Sequence, residues 1–441
     1  MDNLLPRIYE GALIFLLIFS SVFCGTLNPV PAYVLKLFLL ILFSFFIIDL
    51  SRKHEPVIVY PRGTLAILFF LLIVLLQCLP LPLPIIKIIS PQTAYLFENF
   101  LPNEFSTSPH ALSIYPAITK EGLIQFISYL SIFFLTINTI KTRKQFERIF
   151  LFIIAWAVVL NLYGAIKRYF FNAESAFGLS TFGNQNHFAG YMVLITPLAA
   201  GYAIYCKNFY KKLFFSFLCA MLAAGIFFSL SRAALLSLIC SFFLMTGVFF
   251  LAKKTKWRRN VKTVFLIIII IIVLLTAISL ESMRQKLSIT HRGLNERIIR
   301  FKDALDLAKN FLFFGVGLGN FRYIFTRYRT FFSDQLQFYL HNDHLQLLVE
   351  VGLAGLISYC LFFFYVLRSI VNQLFSRRDP LVKNMLLGGI CGIFALLLDS
   401  FFDLDFHIPA IAFMFWFLLG LLYKFSYTHF RSNTPNKSES Q

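Results

Sequence analysis

Residues 263–280 read TVFLIIIIIIVLLTAISL, a run of 18 residues without a charged side chain. A helix of this length rises about 27 Å, which is enough to cross the hydrocarbon core of a bilayer. Similar runs recur along the 441-residue chain, which is 58% hydrophobic and 14% charged. Soluble domains are about 25% charged, so this composition excludes a soluble globular or disordered protein. It predicts an all-α polytopic membrane protein.

Hydrophobic segments of this kind predict about twelve transmembrane helices. They lie near residues 12–27, 32–50, 64–79, 121–140, 149–165, 187–206, 213–229, 233–251, 263–280, 345–367, 384–400 and 409–424. The prediction divides the chain into four parts: a bundle at 1–280 with an outer loop at 80–120, a large helical loop at 281–344, the last three spans at 345–430, and a disordered tail at 431–441.

Basic residues between the spans predict the orientation, because basic loops stay on the cytoplasmic side. The even-numbered connections hold almost all of them: Arg52, Lys53, Lys141, Arg143, Lys144, Arg148, Lys207, Lys211, Lys212, Lys253, Lys254, Lys256, Arg258, Arg259, Lys262, Arg377, Arg378 and Lys383. Both termini are therefore expected in the cytoplasm, with an uncleaved first helix. The net charge of +19 is largely this topogenic signal, so no nucleic-acid partner is expected.

The loop at 281–344 falls on the outer face and breaks this charge pattern. It carries ten Lys and Arg residues against six Asp and Glu residues. A basic loop facing outward favours an anionic ligand, and contact with lipid headgroups is the alternative. Within it, one apolar stripe predicts an amphipathic helix: Leu294, Ile298, Phe301, Leu305, Ala308 and Leu312. Arg297 is expected at the margin of this stripe and Arg300 further towards water.

Two further outer features have structural interpretations. The run Gly315-Val-Gly-Leu-Gly319 follows a predicted helix rather than a strand, so it predicts a tight turn back towards the membrane and not a phosphate cradle. The segment around Thr93–Leu101 is short and amphipathic, which indicates an interfacial helix.

The densest polar cluster is His341-Asn342-Asp343-His344, directly before the tenth span. A histidine is a suitable general base at neutral pH, and Asn342 or Asp343 can cap the following helix. His341 and His344 are close enough in sequence to share a metal, but no third ligand has a fixed spacing. We therefore predict no metal and no cofactor, with His344 as an interfacial anchor.

Three more polar residues interrupt apolar sequence on the same predicted face. They are Asn186 at the start of span six, Arg232 between spans seven and eight, and Asp403 after span eleven. Asp403-Leu-Asp405 imitates the metal-binding pair of nucleotide-sugar glycosyltransferases, a match that we attribute to chance because such donors are cytoplasmic. Cationic groups, one candidate base and no metal suit transfer from an anionic, membrane-held donor.

The sequence resembles the O-antigen ligase and polymerase superfamily of bacterial envelope glycosyltransferases. The family motif is a histidine, then Asn, Ser or Gln, nine residues, Gly, two residues and a small residue. Here it reads His341-Asn342, nine residues, then Gly352-Leu-Ala-Gly355. Arg297–Leu305, Gly315–Phe321, Thr181–Ala189, Ser231-Arg232 and Asp403 to Pro409 extend the resemblance, which covers roughly 180–410.

This resemblance implies a twelve-span enzyme of the bacterial inner membrane, related to GT-C glycosyltransferases, with a periplasmic loop between spans nine and ten. Its donor is an undecaprenyl-diphosphate-linked glycan, and transfer is inverting and metal-independent. By analogy, His341 is the base and Arg232 and Arg297 bind the diphosphate. The expected substrate-binding residues are Asn186, Arg300, Asn342 and Asp403.

Several acceptors remain open at this stage. O-antigen ligation to lipid A–core is the leading hypothesis, and repeat-unit polymerisation uses the same donor with a second lipid-linked glycan. A protein O-oligosaccharyltransferase would use a protein acceptor. From another class, a transporter of lipid-linked sugars is the rival, although transporters place ionisable residues near the bilayer midplane.

Overall fold

A computed structural model describes residues 4–25, 28–102, 108–170, 179–251, 296–331 and 339–428, and it confirms an all-α polytopic membrane protein. The helices in chain order are α1 (Leu4–Phe23), α2 (Pro29–Ser51), α3 (Thr64–Cys78), α4 (Leu83–Ile89), α5 (Pro91–Phe100), α6 (Pro116–Thr139), α7 (Arg143–Phe170), α8 (Gln185–Tyr205), α9 (Phe209–Phe228), α10 (Arg232–Leu251), α11 (296–310), α12 (Phe321–Tyr328), α13 (Asp343–Ser376), α14 (Pro380–Asp399) and α15 (Pro409–Tyr427).

Ten of these helices are long and apolar enough to span a membrane within the described ranges, and α3 is a shorter apolar helix. Together they correspond to eleven of the twelve predicted spans. The remaining one, at 263–280, lies outside the described residues, as does the predicted tail at 431–441.

The predicted outer loop at 80–120 contains α4, α5 and a small antiparallel pair of strands. Strand β1 (Pro80–Leu81) pairs with β2 (His110–Ala111), and a small apolar cluster holds α4 and α5 against the second strand. The short helix expected near Thr93–Leu101 is confirmed by α5.

Helix α8 lies at the centre of the bundle and packs closely against α14. Glycines make this approach possible: a Cβ placed on Gly388 would lie 2.6 Å from the carbonyl oxygen of Pro197, and one on Gly392 would overlap the carbonyl of Leu194. Small residues at such crossings let two backbones meet, which is how helices associate in lipid. The first turn of α8 and the end of α14 are thereby held together.

Helix α13 is broken at Gly352, whose backbone angles are φ +67° and ψ −174°. The predicted turn at Gly315–Gly319 packs into this break. The N–H of Gly317 donates to the carbonyl of Glu350 at 2.9 Å, and the N–H of Leu353 donates to that of Leu312 at 2.7 Å. Only glycine readily adopts the angles of Gly352, and a Cβ there would overlap Phe313. The predicted turn is therefore also a structural clamp on the break in α13, which we call the glycine clamp.

The stripe predicted for the loop helix α11 is wrong at three of its five described positions, Ile298, Leu305 and Leu312, and right at Phe301 and Ala308, which pack inward. The buried face comprises Ala304, Leu307, Ala308 and Phe311, whereas Ile298 and Leu305 are exposed and Leu294 lies outside the described residues. This face packs on Phe321 and Phe325 of α12. The prediction followed the larger side chains and missed Ala304. Since Arg300 lies one turn before Ala304, it belongs to the buried face rather than pointing to water.

Candidate active site

One end of the bundle, which we call the site end, is where α8, α13 and α15 begin and α14 ends. The N–H of Asp343 donates to the carbonyl of Ser400 at 2.9 Å, and the N–H of Ala410 donates to that of Cys24 at 3.2 Å. These bonds join the chain before α13, the α14–α15 connection and the end of α1. Polar side chains from distant parts of the sequence therefore meet here.

His341 and Asp403 form the pair at the centre of this end. His341 has a left-handed backbone, with φ +57°, and the next residue caps α13: the Oδ1 of Asn342 accepts from the N–H of Leu345 at 3.0 Å. The Nδ1 of His341 lies 3.4 Å from the Oδ1 of Asp403. The His341 side chain is 33% exposed and that of Asp403 is 4% exposed. The pair thus joins a buried carboxyl to an accessible imidazole.

The surroundings of Asp403 favour its ionised form. Burial by itself raises the pKa of this carboxyl, but the hydrogen bond and charge of His341 and the N–H of Leu404 hold the pKa below its ordinary value. Leu404 donates to the Oδ1 of Asp403 at 2.9 Å. A carboxylate beside an imidazole orients the ring and stabilises the imidazolium that forms when the ring takes a proton.

Three neighbours of this pair are buried without hydrogen-bond partners among the described residues. Both ring nitrogens of His187 and both carboxyl oxygens of Asp399 and Asp405 are unpaired in this sense. His187 interacts electrostatically with His341 and Asp403. Together these five residues, His187, His341, Asp399, Asp403 and Asp405, are called the His341 cluster below.

Asp405 shows how crowded the carboxyls of the His341 cluster are. Burial and the charges of Asp399 and Asp403 raise the pKa of Asp405 well above its ordinary value. Its carboxyl packs against Gly190 on α8, where a Cβ would overlap it. Neighbouring carboxylates repel one another, so these surroundings favour the protonated form of Asp405 and the ionised form of Asp403.

A second group, the Gln346 network, lies beside the His341 cluster and is fully hydrogen-bonded. The Nδ1 of His407 is 2.7 Å from the Oδ1 of Asp343, and the Nε2 of Gln346 is 2.9 Å from both the Nε2 of His407 and the Oε1 of Glu350. The Oε2 of Glu350 accepts from the N–H of Gly319 at 2.8 Å. This network ties α13 to the glycine clamp and to the segment before α15.

The surroundings of His407 in the Gln346 network raise the pKa of its imidazole. Burial alone lowers the pKa of this imidazole, but the hydrogen bond and charge of Asp343 and the charge of Glu350 raise it above its ordinary value. The carboxyl of Asp343 thus favours protonation of this buried imidazole, against the effect of burial. Its contacts are those of a structural group.

His344 also has a structural position. Its Nε2 lies 2.9 Å from the Oγ of Ser400 and 3.0 Å from the carbonyl oxygen of Leu397, which fixes the end of α14 to the start of α13. His341 and His344 therefore contact different partners. Within the described ranges, no group of three or more His, Cys, Asp or Glu residues has a metal-binding arrangement.

The predicted arginines lie on two elements. Arg232 begins α10, which packs on α8 and α14. Arg297 and Arg300 are both half-buried on α11, and the guanidinium of Arg300 lies 5.7 Å from the ring centroid of Phe331. No hydrogen bond or ion pair joins Arg297 or Arg300 to His341 or Asp403 in the described part of the chain.

Arg300 feels the charges of a cation and an anion on its own helix, Arg297 and Glu296. Burial and the charge of Arg297 lower the pKa of its guanidinium, and its Nε has no hydrogen-bond partner among the described residues. Two close cations with an unsatisfied donor favour binding of an anion. Asn186 lies half-buried in the first turn of α8, where its N–H donates to the Oδ1 of Asn184 at 2.8 Å.

Sequence reasoning missed several residues of this end. His187 lies in the segment Thr181–Ala189 that extends the family resemblance, but the sequence gives it no role, and it does not single out His407, Gln346 or Asp399. A signal was present for Asp399, because a carboxylate at the end of an apolar span has a function by default. Gln346 gave no such signal, because it is a single uncharged polar residue at the start of an apolar span.

The fold and this site define a multi-pass membrane protein with a polar, histidine-containing centre at one end of its helices. Comparison with protein families shows that residues 216–360 match the model described as O-Antigen ligase. The match confirms the superfamily resemblance and indicates glycosyl transfer of the O-antigen ligase or polymerase type. A comparison with curated proteins finds no match.

Proposed function

We propose that the protein transfers a glycan from undecaprenyl diphosphate to an acceptor hydroxyl, with His341 as the general base. The observation that carries this proposal is the contact between the accessible His341 ring and the buried, ionised Asp403. The Nδ1 of His341 faces Asp403, and its Nε2 has no hydrogen-bond partner within the described residues. An imidazole oriented on one nitrogen and unoccupied on the other is suited to take a proton.

The reaction follows from this geometry. The acceptor hydroxyl gives its proton to the Nε2 of His341 while its oxygen attacks the anomeric carbon of the donor glycan. The bond from that carbon to the diphosphate oxygen breaks, and undecaprenyl diphosphate leaves with the bonding electrons. Attack opposite the leaving group inverts the anomeric centre. Asp403 keeps the ring oriented and stabilises the imidazolium until the proton passes to water.

Arginines supply the positive charge that the leaving diphosphate needs. Arg232 at the start of α10 and the Arg297–Arg300 pair on α11 are the groups proposed for this role. Guanidinium groups stay charged and bind phosphate oxygens in pairs. They make a metal unnecessary, so transfer by the purified protein is expected to survive EDTA. Loss with EDTA and recovery with one divalent ion would contradict this part of the proposal.

For the acceptor, we propose lipid A–core, with the site end facing the periplasm from the bacterial inner membrane and both termini cytoplasmic. The polar residues lie at one end of the helices rather than at their middle, which supports an enzyme over a transporter. Deleting the gene in its host and separating the lipopolysaccharide on a gel tests this. Bare lipid A–core with accumulated lipid-linked polymer is the expected result. Core with one repeat unit would indicate a polymerase. An unchanged ladder of lipopolysaccharide bands would overturn the proposal that the protein ligates the glycan to lipid A–core.

A further inference from the structure

A cavity of about 310 Å³ lies at the site end, between α2, α6, α13 and α15. Its walls include the Asp343, Glu350 and His407 members of the Gln346 network. Its remaining polar and aromatic lining comes mainly from residues that the mechanism above does not use: Tyr33, Lys36, Glu121, Gln125, Tyr129 and Trp416. These residues need an explanation of their own.

The cavity and the proposed diphosphate-binding residues are different places. Its lining contains none of Arg232, Arg297 or Arg300, nor His341 or Asp403. It does contain Asp343 and His344, which lie two and three residues after His341. The start of α13 therefore forms a wall of the cavity and also carries the proposed base.

The charges of the lining disfavour a diphosphate. Three acidic residues, Glu121, Asp343 and Glu350, face two basic ones, Lys36 and His407. Asp343 is already paired with His407 at 2.7 Å. The lining therefore offers no excess of positive charge to a diphosphate, whereas the arginines of α10 and α11 would neutralise one.

The lining is instead suited to sugar hydroxyls. Carboxylates and amides accept hydrogen bonds from hydroxyl groups, and Lys36 donates to their oxygens. The Tyr33 hydroxyl already donates to the Oε1 of Glu121 at 2.6 Å, so a polar rim is present beside exposed Tyr33. Aromatic rings of Phe126, Tyr129 and Trp416 form an apolar part of the wall. A mixture of acids, an amide and aromatic rings is the surface that a saccharide needs.

We propose that this cavity binds the glycan of the acceptor, so that acceptor and donor approach the reacting carbon from opposite sides. The inference rests on the proposed function and extends it, because an inverting displacement needs the nucleophile on the face opposite the leaving group. With the diphosphate at the arginines, which are not part of the lining, the cavity beside the α13 start is the place left for the acceptor.

The test fills the cavity and measures binding without turnover. Ala32 lines the cavity and is buried, so Ala32→Trp reduces its volume. Leu37→Trp is the matched control, because Leu37 is on the same helix and 56% exposed. Each variant is placed in nanodiscs with one of three probes: lipid A–core glycolipid, undecaprenyl-diphosphate-linked glycan, or undecaprenyl diphosphate alone.

We expect Ala32→Trp to raise the Kd for lipid A–core glycolipid at least tenfold and to leave both undecaprenyl probes unchanged, with no effect of Leu37→Trp. If Ala32→Trp fails to fold, Glu121→Gln combined with Gln125→Ala, at the polar rim, replaces it with the same expectation. Unchanged glycolipid binding would overturn the proposal. Weaker binding of the lipid-linked glycan instead would assign the cavity to the donor and also overturn it. Because no transfer is measured, these outcomes are independent of whether His341 is the base.

Discussion

His341 and His407 lie at the same end of the bundle and each faces an aspartate, but their surroundings differ. His407 contacts Asp343 at 2.7 Å and Gln346 at 2.9 Å, and every member of the Gln346 network has a partner. His341 contacts Asp403 at 3.4 Å, and three members of the His341 cluster have no hydrogen-bond partner among the described residues. A buried polar group without a partner is costly, and this cost supports the proposal that the His341 cluster binds a substrate.

The comparison suggests different roles for two groups built from the same residue types: a structural role for the Gln346 network and the proposed catalytic role for the His341 cluster. The Gln346 network fixes the broken helix α13 against the glycine clamp. The His341 cluster uses that rigid frame to present one imidazole. Changes to the two groups should therefore have different consequences, mainly on stability for the first and on transfer for the second.

The largest effect, a loss of folding, is expected from a change at the glycine clamp, which holds the broken helix α13. Gly352→Ala places a Cβ against the carbonyl of Phe313 and forces alanine into a backbone conformation that only glycine readily adopts. We expect no folded protein in size-exclusion chromatography of the detergent extract. Gly247→Ala is the matched control, because a Cβ on Gly247 meets nothing within 4 Å. Normal yield of Gly352→Ala would show that the break in α13 is not required.

The next effect tests the role of Asp403. Asp403→Asn removes the carboxylate beside His341 while keeping its shape, and we expect transfer to fall roughly 100-fold because the imidazolium loses its stabilising charge. The melting temperature should change little. Asp306→Asn, an exposed change on α11, serves as control. Equal transfer by Asp403→Asn and wild type would reduce Asp403 to a packing residue.

A smaller effect is expected from the arginine pair. Arg300→Ala removes a half-buried cation beside Arg297, and we expect about a tenfold weaker binding of undecaprenyl diphosphate, in line with the loss of one charge-assisted hydrogen bond. Lys302→Ala, which removes an exposed cation from the same helix, should leave binding unchanged. If both variants bind alike, the pair contacts headgroups rather than the donor.

The smallest effect concerns pH and the Gln346 network. Folding raises the pKa of His407, so protonation of this imidazole stabilises the folded state. This stabilisation is complete below the ordinary histidine pKa near ~6.5. It is lost as the pH rises through the pKa of His407 in the folded protein. The wild-type melting temperature should fall by a few degrees between acidic and alkaline buffer. In His407→Gln this fall should be smaller. An identical pH dependence in both proteins would contradict a raised pKa of His407.

Much of the fold could be predicted from the sequence, because runs of apolar residues have one stable arrangement in lipid. The family motif at His341 and Gly352 also predicted the helix start and the superfamily. The buried face of α11 could not be predicted by choosing large side chains, since small Ala304 packs against α12. The positions of His187 and Asp399 beside His341 depend on the close packing of α8 on α14, which a single sequence does not specify.

The most direct test of the account is transfer by the purified His341→Asn protein. Asparagine tolerates the left-handed backbone at this position, so the variant removes the base without straining the turn. We predict that transfer of lipid-linked glycan falls by roughly 1000-fold. The melting temperature and the Kd for undecaprenyl diphosphate should match those of His54→Asn, an exposed control. Transfer at the wild-type rate would contradict the assignment of His341 as the base.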